Sequence, residues 1–334
     1  MTDSTDPNAS LDAVPAEAIA LLSRLASEDA VVRRIALLDL ADLEDACVIE
    51  PIVDALRRDA SPEVRSEAAL VLASWERDDV VEALCGALLD GDASVRANAA
   101  QSLSELKHAS SGAILLEWLK RPDSFMRAAL LRALRELRVA DAFAPALHAL
   151  ADADANVREQ AIGVLGWLKN PLALEPLASL ATSDADASIR RAAAAALGFA
   201  PPANRETTAA LLSALRDDVW QVREEAATTL GKLRAAESRE ALEEALDDAY
   251  WQVRLRALRA LGQIGDSASA ARVAALLSHS ISNVRKEAAL ALGEIGSSDD
   301  APTLSALEAA EADGDPEVRK AARIALRQIA GRRP

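Results

Sequence analysis

The chain has 334 residues, of which 51% are hydrophobic and only 3% are aromatic. This apolar content excludes an intrinsically disordered chain, which lacks the apolar surface to offset its conformational entropy. The net charge of −16 disfavours nucleic acids and anionic membranes as partners, because both attract lysine and arginine.

Residues 1–14 are acidic and have neither a basic start nor an apolar stretch, so they predict a flexible tail and no secretory signal. No long uncharged apolar run follows, which argues against a membrane-spanning helix. Cys47 and Cys85 are too few for a disulfide framework or a cysteine-based metal cage. We therefore expect a cytoplasmic protein with one folded region over residues 15–330 and a short basic tail at residues 331–334.

An internal repeat organises the folded region. An apolar residue followed by arginine recurs at intervals of 31 to 34 residues along the chain. The repeated arginines are Arg33, Arg65, Arg96, Arg127, Arg158, Arg190, Arg223, Arg254, Arg285 and Arg319. Such regular self-similarity is typical of repeat architectures, and it predicts ten structural repeats.

Each repeat has the pattern of two helices, and the second helix begins just before the repeated arginine. Apolar residues three, four, seven and about ten positions after the arginine predict one buried helical face. Pro62 and Pro316 suit the first helical position, and Gly262, Gly265, Gly293 and Gly296 are interpreted as helix ends, the last of each pair as a left-handed cap. The predicted N-caps are Asp29, Ser61, Asp92, Asp123, Asp154, Asp186 and Asp315.

These elements predict an all-α fold, an α-solenoid of ten two-helix repeats in which each repeat contacts its neighbours. The segments 92–103 (DASVRANAAQSL) and 315–326 (DPEVRKAARIAL) resemble the HEAT-repeat family, specifically the short HEAT-like repeats of phycobilisome lyases. The resemblance spans residues 15–330. It implies a fold rather than one activity, because this repeat type serves many unrelated partners.

The repeated arginine lies early in its helix, where its charge opposes the helix dipole, so it needs an anionic partner. We expect that partner to be the cap aspartate of the same or a neighbouring repeat. The arginines would then form a structural ladder between repeats. A row of solvent-facing arginines that binds anions is the alternative.

The sequence contains no recognisable catalytic motif. Relatives that hydroxylate deoxyhypusine hold iron through His-Glu pairs, but His108, His148 and His279 are not followed by glutamate. We therefore predict no metal, no cofactor and no catalytic residue, and interpret the histidines as incidental. Whether the protein is an enzyme stays open, with a non-catalytic role favoured.

Two exposed columns of the second helices carry the candidate binding residues. The position nine after the arginine is polar in most repeats but is Trp167 in repeat five and Phe199 in repeat six. The position five after the arginine holds the small residues Gly163, Ala195 and Thr228 in repeats five to seven. Large aromatic side chains beside small ones predict a shallow groove on the second-helix face, which is usually concave in the family.

Two further groups could contribute to binding. Trp220 and Trp251 each lie three residues before the arginine, and Tyr250 adjoins Trp251, so these rings are expected side by side near the turns. Local packing over the helix starts is the alternative for them. Arg132 and Arg259, in the column five after the arginine, would offer a competing basic surface.

The sequence therefore predicts a non-catalytic scaffold or adaptor that binds a protein partner on the second-helix face of repeats five to eight. One alternative is a bilin-lyase-like or other enzyme factor that handles a small ligand in a groove at Trp167 and Phe199. Another is a DNA-binding helical-repeat protein, which the acidic charge disfavours.

Overall fold

The computed structural model of the protein describes residues 16–202 and 204–332. The expectations for the tail at residues 1–14 and for residues 333 and 334 lie outside this range. Across the described residues the secondary structure is helical, and they contain no β-strand. The predicted all-α class is confirmed.

Within the same residues, twenty α-helices form ten consecutive pairs, which match the ten predicted repeats. The pairs are α1 (Ala16–Arg24) and α2 (Ala30–Ala41); α3 (Ile49–Arg58) and α4 (Pro62–Val71); α5 (Asp78–Ala87) and α6 (Ala93–Ser104); α7 (Gly112–Trp118) and α8 (Ser124–Leu137); α9 (Phe143–Ala149) and α10 (Ala155–Leu168); α11 (Leu174–Ser183) and α12 (Ala187–Ala196); α13 (Arg205–Ala214) and α14 (Trp220–Lys232); α15 (Arg239–Glu244) and α16 (Trp251–Ile264); α17 (Ala270–Ala275) and α18 (Ser282–Ile295); α19 (Ala301–Ala310) and α20 (Pro316–Gly331). Single turns of 3-10 helix flank several of them, at Ala46–Val48, Leu72–Ser74, Ala109–Ser111, Ala140–Ala142, Pro171–Ala173, Leu197–Phe199, Ala236–Ser238, Ala245–Asp247, Ser267–Ser269 and Leu276–Ser278.

The chain divides between Ala146 and Leu147 into two compact units. In the first unit, the second helices α2, α4, α6 and α8 pack one against the next in chain order. In the second unit, α10, α12, α14, α16, α18 and α20 do the same. Each second helix also packs against the first helix of its own repeat where that pair lies within one unit, for example α3 against α4 and α19 against α20.

The helix starts follow the predicted chemistry. Each of the seven predicted N-cap side chains accepts a hydrogen bond from a backbone N–H in the first turn of its helix. Pro62 and Pro316 occupy the first helical position, where no N–H is needed. The apolar residue before the arginine is fully buried in repeats two to ten: Val64, Val95, Met126, Val157, Ile189, Val222, Val253, Val284 and Val318.

The glycine predictions are only partly correct. Gly265 ends α16 in the left-handed region with φ +77°, as predicted. Gly296 ends α18 but is extended, so the prediction of a left-handed cap there is wrong. Gly262 and Gly293 lie inside α16 and α18 and do not end them. Their role is helix packing, as described below.

The repeated arginines form a ladder between consecutive repeats. Arg158 donates from Nε and Nη2 to the two carboxylate oxygens of Asp184, at 2.8 and 2.9 Å. Its Nη1 donates to the carbonyls of Asp152 and Ala153, which fixes the orientation of the guanidinium. The same contacts recur at Arg33–Asp59, Arg65–Asp90, Arg190–Asp217, Arg223–Asp248 and Arg285–Asp313. We call each such pair a rung of the ladder.

The ladder aspartate is not the cap residue that the sequence analysis expected. It lies two residues before the cap of the following repeat, and it also accepts the backbone N–H of that cap residue. Asp184, for example, accepts the N–H of Asp186, whose own carboxylate accepts the N–H of Ser188. The cap carboxylate is therefore occupied by its own helix, and the acid two residues earlier is left to bind the arginine.

The rung between repeats eight and nine contains a histidine instead of an aspartate. His279 Nδ1 faces the backbone N–H of Ile281 at 3.0 Å, and its Nε2 lies 2.7 Å from Arg254 Nη1. A neutral imidazole has one acceptor nitrogen, so either tautomer leaves one of these two N–H groups without an acceptor. The sequence predicts the histidines to be incidental surface or packing residues, and His279 packs in the ladder through both ring nitrogens.

Replacing His279 with aspartate is expected to raise the free energy of unfolding by about 1 kcal/mol, because a carboxylate accepts both hydrogen bonds. Urea unfolding followed by circular dichroism measures the change. The control is His148→Asp at an exposed position of α9, where we expect a change below about 0.5 kcal/mol. A lower unfolding midpoint for His279→Asp than for the wild type would contradict this account.

The ladder also predicts how stability depends on pH. Hydrogen bonds from Arg65, Arg190 and Arg285 hold the pKa of Asp90, Asp217 and Asp313, respectively, below the ordinary value of 3.8. A carboxyl whose pKa is lower in the folded state than in the unfolded state stabilises the fold above the unfolded pKa. This stabilisation is lost as the pH falls through and below that value.

We therefore expect the melting temperature to stay nearly constant from pH 7 to about pH 5 and to fall steeply below about pH 4. Differential scanning calorimetry across this range measures it. In Asp313→Asn, one such carboxyl is absent, so the melting temperature at pH 7 should be lower and the loss in acid smaller. An equal acid loss in wild type and variant would refute the assignment.

Candidate interaction surfaces

The second helices of the second unit approach one another closely at glycine. A Cβ atom added to Gly231 of α14 would lie 2.7 Å from Ala260 Cα, and one added to Gly293 of α18 would lie 3.0 Å from Ala325 Cα. Gly166 and Gly262 face alanines in the same way. Each glycine is eight positions after the repeated arginine, and each facing alanine is six positions after the next one. The missing Cβ atoms therefore set the distance between consecutive second helices.

Polar side chains of the column nine after the arginine cover these glycines. Gln263 lies over Gly231, Gln328 lies over Gly293, and Lys232 Nζ lies 2.8 Å from where a Cβ of Gly198 would be. These side chains therefore cross from their own helix to the preceding one. Polar side chains occupy this column in α14, α16, α18 and α20, and Trp167 and Phe199 lie at the equivalent positions of earlier repeats.

The predicted groove residues lie on or next to the second helices. Trp167 is 42% exposed near the end of α10, and Phe199 is half-buried in the 3-10 turn after α12. Gly163 is half-buried and Ala195 is exposed. The hydroxyl of Thr228 donates to the carbonyl of Glu224 at 2.9 Å. A groove shared by these residues stays a prediction.

The second aromatic group lies at the helix starts of repeats seven and eight. The rings of Trp220 and Tyr250 are stacked, with centroids 5.4 Å apart and planes inclined by 15°. The guanidinium carbon of the ladder residue Arg223 lies 5.8 Å from the Tyr250 ring centroid. Trp251 and Tyr250 are both exposed. The stack pairs Trp220 with Tyr250, whereas the sequence analysis expected the two tryptophans to be paired.

The two predicted basic residues differ in their surroundings. Arg132 is exposed on α8 of the first unit. Arg259, on α16, donates from Nε and Nη2 to the buried carboxylate of Glu287, at 2.8 and 3.0 Å. Both of these donor groups of Arg259 are thus used within the chain, and its ion pair joins α16 to α18.

The paired helices, the buried apolar residue before each arginine and the rungs recur repeat after repeat, and a family model for HEAT repeats matches the same part of the sequence. The matches cover residues 49–135, 112–198, 181–254 and 240–327. The chain belongs to the HEAT-repeat family. The α-solenoid class follows, and HEAT-repeat solenoids are commonly protein-interaction scaffolds. The match is to HEAT repeats in general, so the phycobilisome-lyase subtype stays a prediction.

Solved structures support the same fold. Kap95p, in a structure with RanGDP, is 14% identical with a TM-score of 0.67 over 93% of this chain and 49% of its own. An engineered protein is 23% identical with a TM-score of 0.55 over 94% of this chain and 99% of its own. The Escherichia coli protein YibA is 22% identical with a TM-score of 0.58 over 81% of this chain and 98% of its own. This chain spans about half the length of Kap95p. A search of curated proteins gave no match.

HEAT repeats eight to ten of the second unit contain a cavity of about 520 Å³. Leu290 and Ile324 are half-buried in its wall, and the column-nine residues Gln263, Glu294 and Gln328 also line it. Most of the remaining lining residues come from α16 and α18. The cavity therefore lies along the same column as Trp167 and Phe199, and it overlaps the predicted repeats five to eight only at repeat eight. In repeats eight to ten the residues of this column are polar, as in most other repeats, so the sequence pattern did not indicate the cavity.

Within residues 16–202 and 204–332, no three histidine, cysteine, aspartate or glutamate residues cluster closely enough to hold a metal ion. Cys85 is buried and Cys47 is half-buried, both thiols are free, and burial raises the pKa of both. No helix among these residues is long and apolar enough to cross a membrane.

Proposed function

We propose that the protein is a non-catalytic scaffold that binds a protein partner through the second-helix face of HEAT repeats five to eight. Membership of the family supports binding of a protein in general, and Kap95p, a structural neighbour, is described by its binding to RanGDP. The partner would be a protein segment that presents apolar side chains to this face and polar groups to its margins.

The exposure of Trp167 carries the proposal. The chain has only nine aromatic residues among 334, and Trp167 is 42% exposed at a column that is polar in eight of the ten repeats. Exposed tryptophan is enriched at the centres of protein interfaces, because it buries a large area with few rotatable bonds to freeze. Exposed Ala195 on the next second helix leaves room for a side chain of the partner.

The margin of this surface supports a protein segment rather than a hydrocarbon. Lys232 and Gln263 provide a charged group and an amide along the same column, and amide groups match the donors and acceptors of a peptide backbone. Glu224 and Arg256 pair at 3.0 Å on the neighbouring surface, so charges of both signs are present. Mixed charge favours discrimination between protein partners by complementarity.

The double substitution Trp167→Ala and Phe199→Ala tests the proposal. Full-length wild type and variant are immobilised and exposed to extract from the source organism, and the retained proteins are quantified by mass spectrometry. We expect a specific retained protein to fall at least tenfold in the variant, as loss of an aromatic anchor costs about 2 kcal/mol or more in binding. The melting temperature is measured in parallel to verify folding.

Leu172→Ala provides the matched control. Leu172 is 72% exposed in repeat six, the repeat of Phe199, and it lies on the 3-10 turn before α11 rather than on a second helix. Its removal should leave the retained protein unchanged. Retention that is equal in wild type, the double variant and Leu172→Ala would remove the second-helix face as the binding surface.

A further inference from the structure

Within the described part of the chain, Arg96 of repeat three has no aspartate partner in repeat four, unlike the arginines of the rungs described in the fold. Nη1 of Arg96 donates to the carbonyls of Asp90 and Gly91, at 2.7 and 3.2 Å. The same two contacts hold every intact rung, for example Nη1 of Arg65 to the carbonyls of Asp59 and Ala60. The guanidinium of Arg96 is therefore anchored like that of Arg65, and its Nε and Nη2 are the groups that elsewhere bind aspartate.

The residue at the acid position of this rung is an arginine. Arg121 lies two residues before the cap Asp123, as Asp90 lies two residues before the cap Asp92. Its guanidinium carbon lies 3.5 Å from the ring centroid of Trp118, so Arg121 stacks on that ring. Among the described residues, no carboxylate forms an ion pair with Arg96, and the turn between α7 and α8 has a positive charge, Arg121, where the intact rungs have an acid.

An exposed aromatic ring adjoins the Arg96 guanidinium. Phe125 is 41% exposed at the start of α8, and its ring centroid lies 5.7 Å from the guanidinium carbon of Arg96. Arginine and aromatic side chains are the residues that dominate binding at protein interfaces. The Phe125 ring therefore provides apolar contact area beside the two-donor edge of Arg96, which consists of its Nε and Nη2 groups. We call Arg96, Arg121, Trp118 and Phe125 the repeat-four patch.

We propose that the repeat-four patch binds an acidic side chain of a protein partner, whose carboxylate takes the place that aspartate has in the intact rungs. The contact would be bidentate, from Nε and Nη2 of Arg96 to the two carboxylate oxygens. Phe125 would pack against the residue that carries or adjoins the acid. The patch belongs to the first unit and goes beyond the surface proposed above, which belongs to the second unit.

The charges around Arg96 favour a carboxylate over a phosphate. Asp90 binds Arg65 but also interacts electrostatically with Arg96, and the cap carboxylates of Asp92 and Asp123 begin the two flanking helices. A phosphate monoester carries up to two negative charges and three acceptor oxygens, so these aspartates repel it more strongly. A carboxylate is singly charged and planar, and at Arg65 and Arg158 the Nε and Nη2 groups each donate to one oxygen of such a carboxylate. The same contact is available to a carboxylate at Arg96.

Nuclear magnetic resonance of the arginine Nε–H groups in the full chain tests the proposal, with a hexaglutamate peptide as the probe. The Arg96 signal, identified by its absence in Arg96→Ala, should shift on titration, while the signals of the paired residues Arg65 and Arg158 stay unchanged. Arg121→Asp supplies an acid within the chain, so it should weaken peptide binding at Arg96 by about tenfold and raise the melting temperature. Arg96→Lys keeps the charge but not the two-donor edge, so it should also weaken peptide binding, which calorimetric titration measures because the Arg96 signal is absent from this variant.

Stability provides the second readout. Arg65→Ala leaves Asp90 without its cation and should lower the melting temperature, whereas Arg96→Ala leaves no carboxylate unpaired and should lower it much less. Three results would overturn the proposal: no shift of the Arg96 signal with hexaglutamate, equal binding in the wild type and Arg121→Asp, or a shift with inorganic phosphate at a lower concentration than with the peptide. None of these depends on Trp167 or Phe199, so failure here leaves the second-helix face to its own test.

Discussion

Replacing Arg158 with alanine is expected to lower the free energy of unfolding by about 3 kcal/mol. The side chains of Arg158 and Asp184 are only 14% and 6% exposed, so the variant retains a nearly buried carboxylate without its cation. It also removes the two hydrogen bonds to the carbonyls of Asp152 and Ala153. Urea unfolding monitored by circular dichroism measures the loss.

An exposed ion pair between repeats seven and eight provides the control for Arg158→Ala. Arg216 and Glu244 lie 3.4 Å apart with side chains 68% and 71% exposed, so Arg216→Ala should change stability by less than about 0.5 kcal/mol. The double variant Arg158→Ala with Asp184→Ala should recover part of the loss, because it removes the unpaired charge as well. A normal unfolding midpoint combined with lost partner binding would show that these arginines form a binding row instead of a ladder.

Replacing Gly231 with valine is expected to be similarly destabilising, by about 3 kcal/mol. A Cβ at this position would lie 2.7 and 2.8 Å from the Cα and Cβ atoms of Ala260, and a backbone atom cannot move aside as a flexible side chain can. The helices α14 and α16 would have to separate, and Val222 and Val253 on their buried faces would lose contacts. Thermal and urea unfolding measure the effect.

Gly314→Ala is the matched control for this substitution. An added Cβ at Gly314 meets no atom within 4 Å, so we expect a change within about 0.5 kcal/mol. The comparison separates steric separation of the helices from the general effect of removing a glycine. Equal unfolding midpoints for Gly231→Val and the wild type would mean that consecutive second helices tolerate a larger spacing than the structure has.

Much of the fold follows from local sequence patterns. Asp92 and Asp154 cap their helices because a short acid four residues before the arginine can reach first-turn amides, and Val95 and Val157 are buried because they recur at the helical period. These features depend on residues within one turn of each other, so a single sequence is sufficient to predict them.

The ladder partners were predicted incorrectly, although the sequence contains the signal. Aspartate recurs two residues before the cap, as in Asp90-Gly-Asp92 and Asp313-Gly-Asp315, but the first acid had no local role to suggest it. Its partner is about 26 residues earlier in the chain, as for Arg158 and Asp184. Only the stacking of consecutive repeats makes that contact, so local periodicity did not identify it.

The candidate surfaces were the hardest to predict, because exposure depends on neighbouring repeats. The stack joins Trp220 and Tyr250, which are 30 residues apart at the starts of two helices, and the cavity beside Leu290 depends on how α16, α18 and α20 are spaced. The sequence period identified the column of Trp167, but it could not establish how far the ring is exposed or what surrounds it. Such contacts depend on the distance between consecutive second helices, and that distance depends on the missing Cβ atoms of Gly231 and Gly293.

Because the arginine of an intact rung comes from one repeat and its aspartate from the next, each 31- to 34-residue period that lies between two intact rungs, such as Arg158–Asp184 and Arg190–Asp217, begins and ends at the same kind of junction. A gene duplication or excision of one whole period would therefore rejoin an arginine to an aspartate and leave no orphaned charge. A break at any other length would mismatch the junction. Electrostatic pairing of this kind lets such an array change its length in evolution by whole modules.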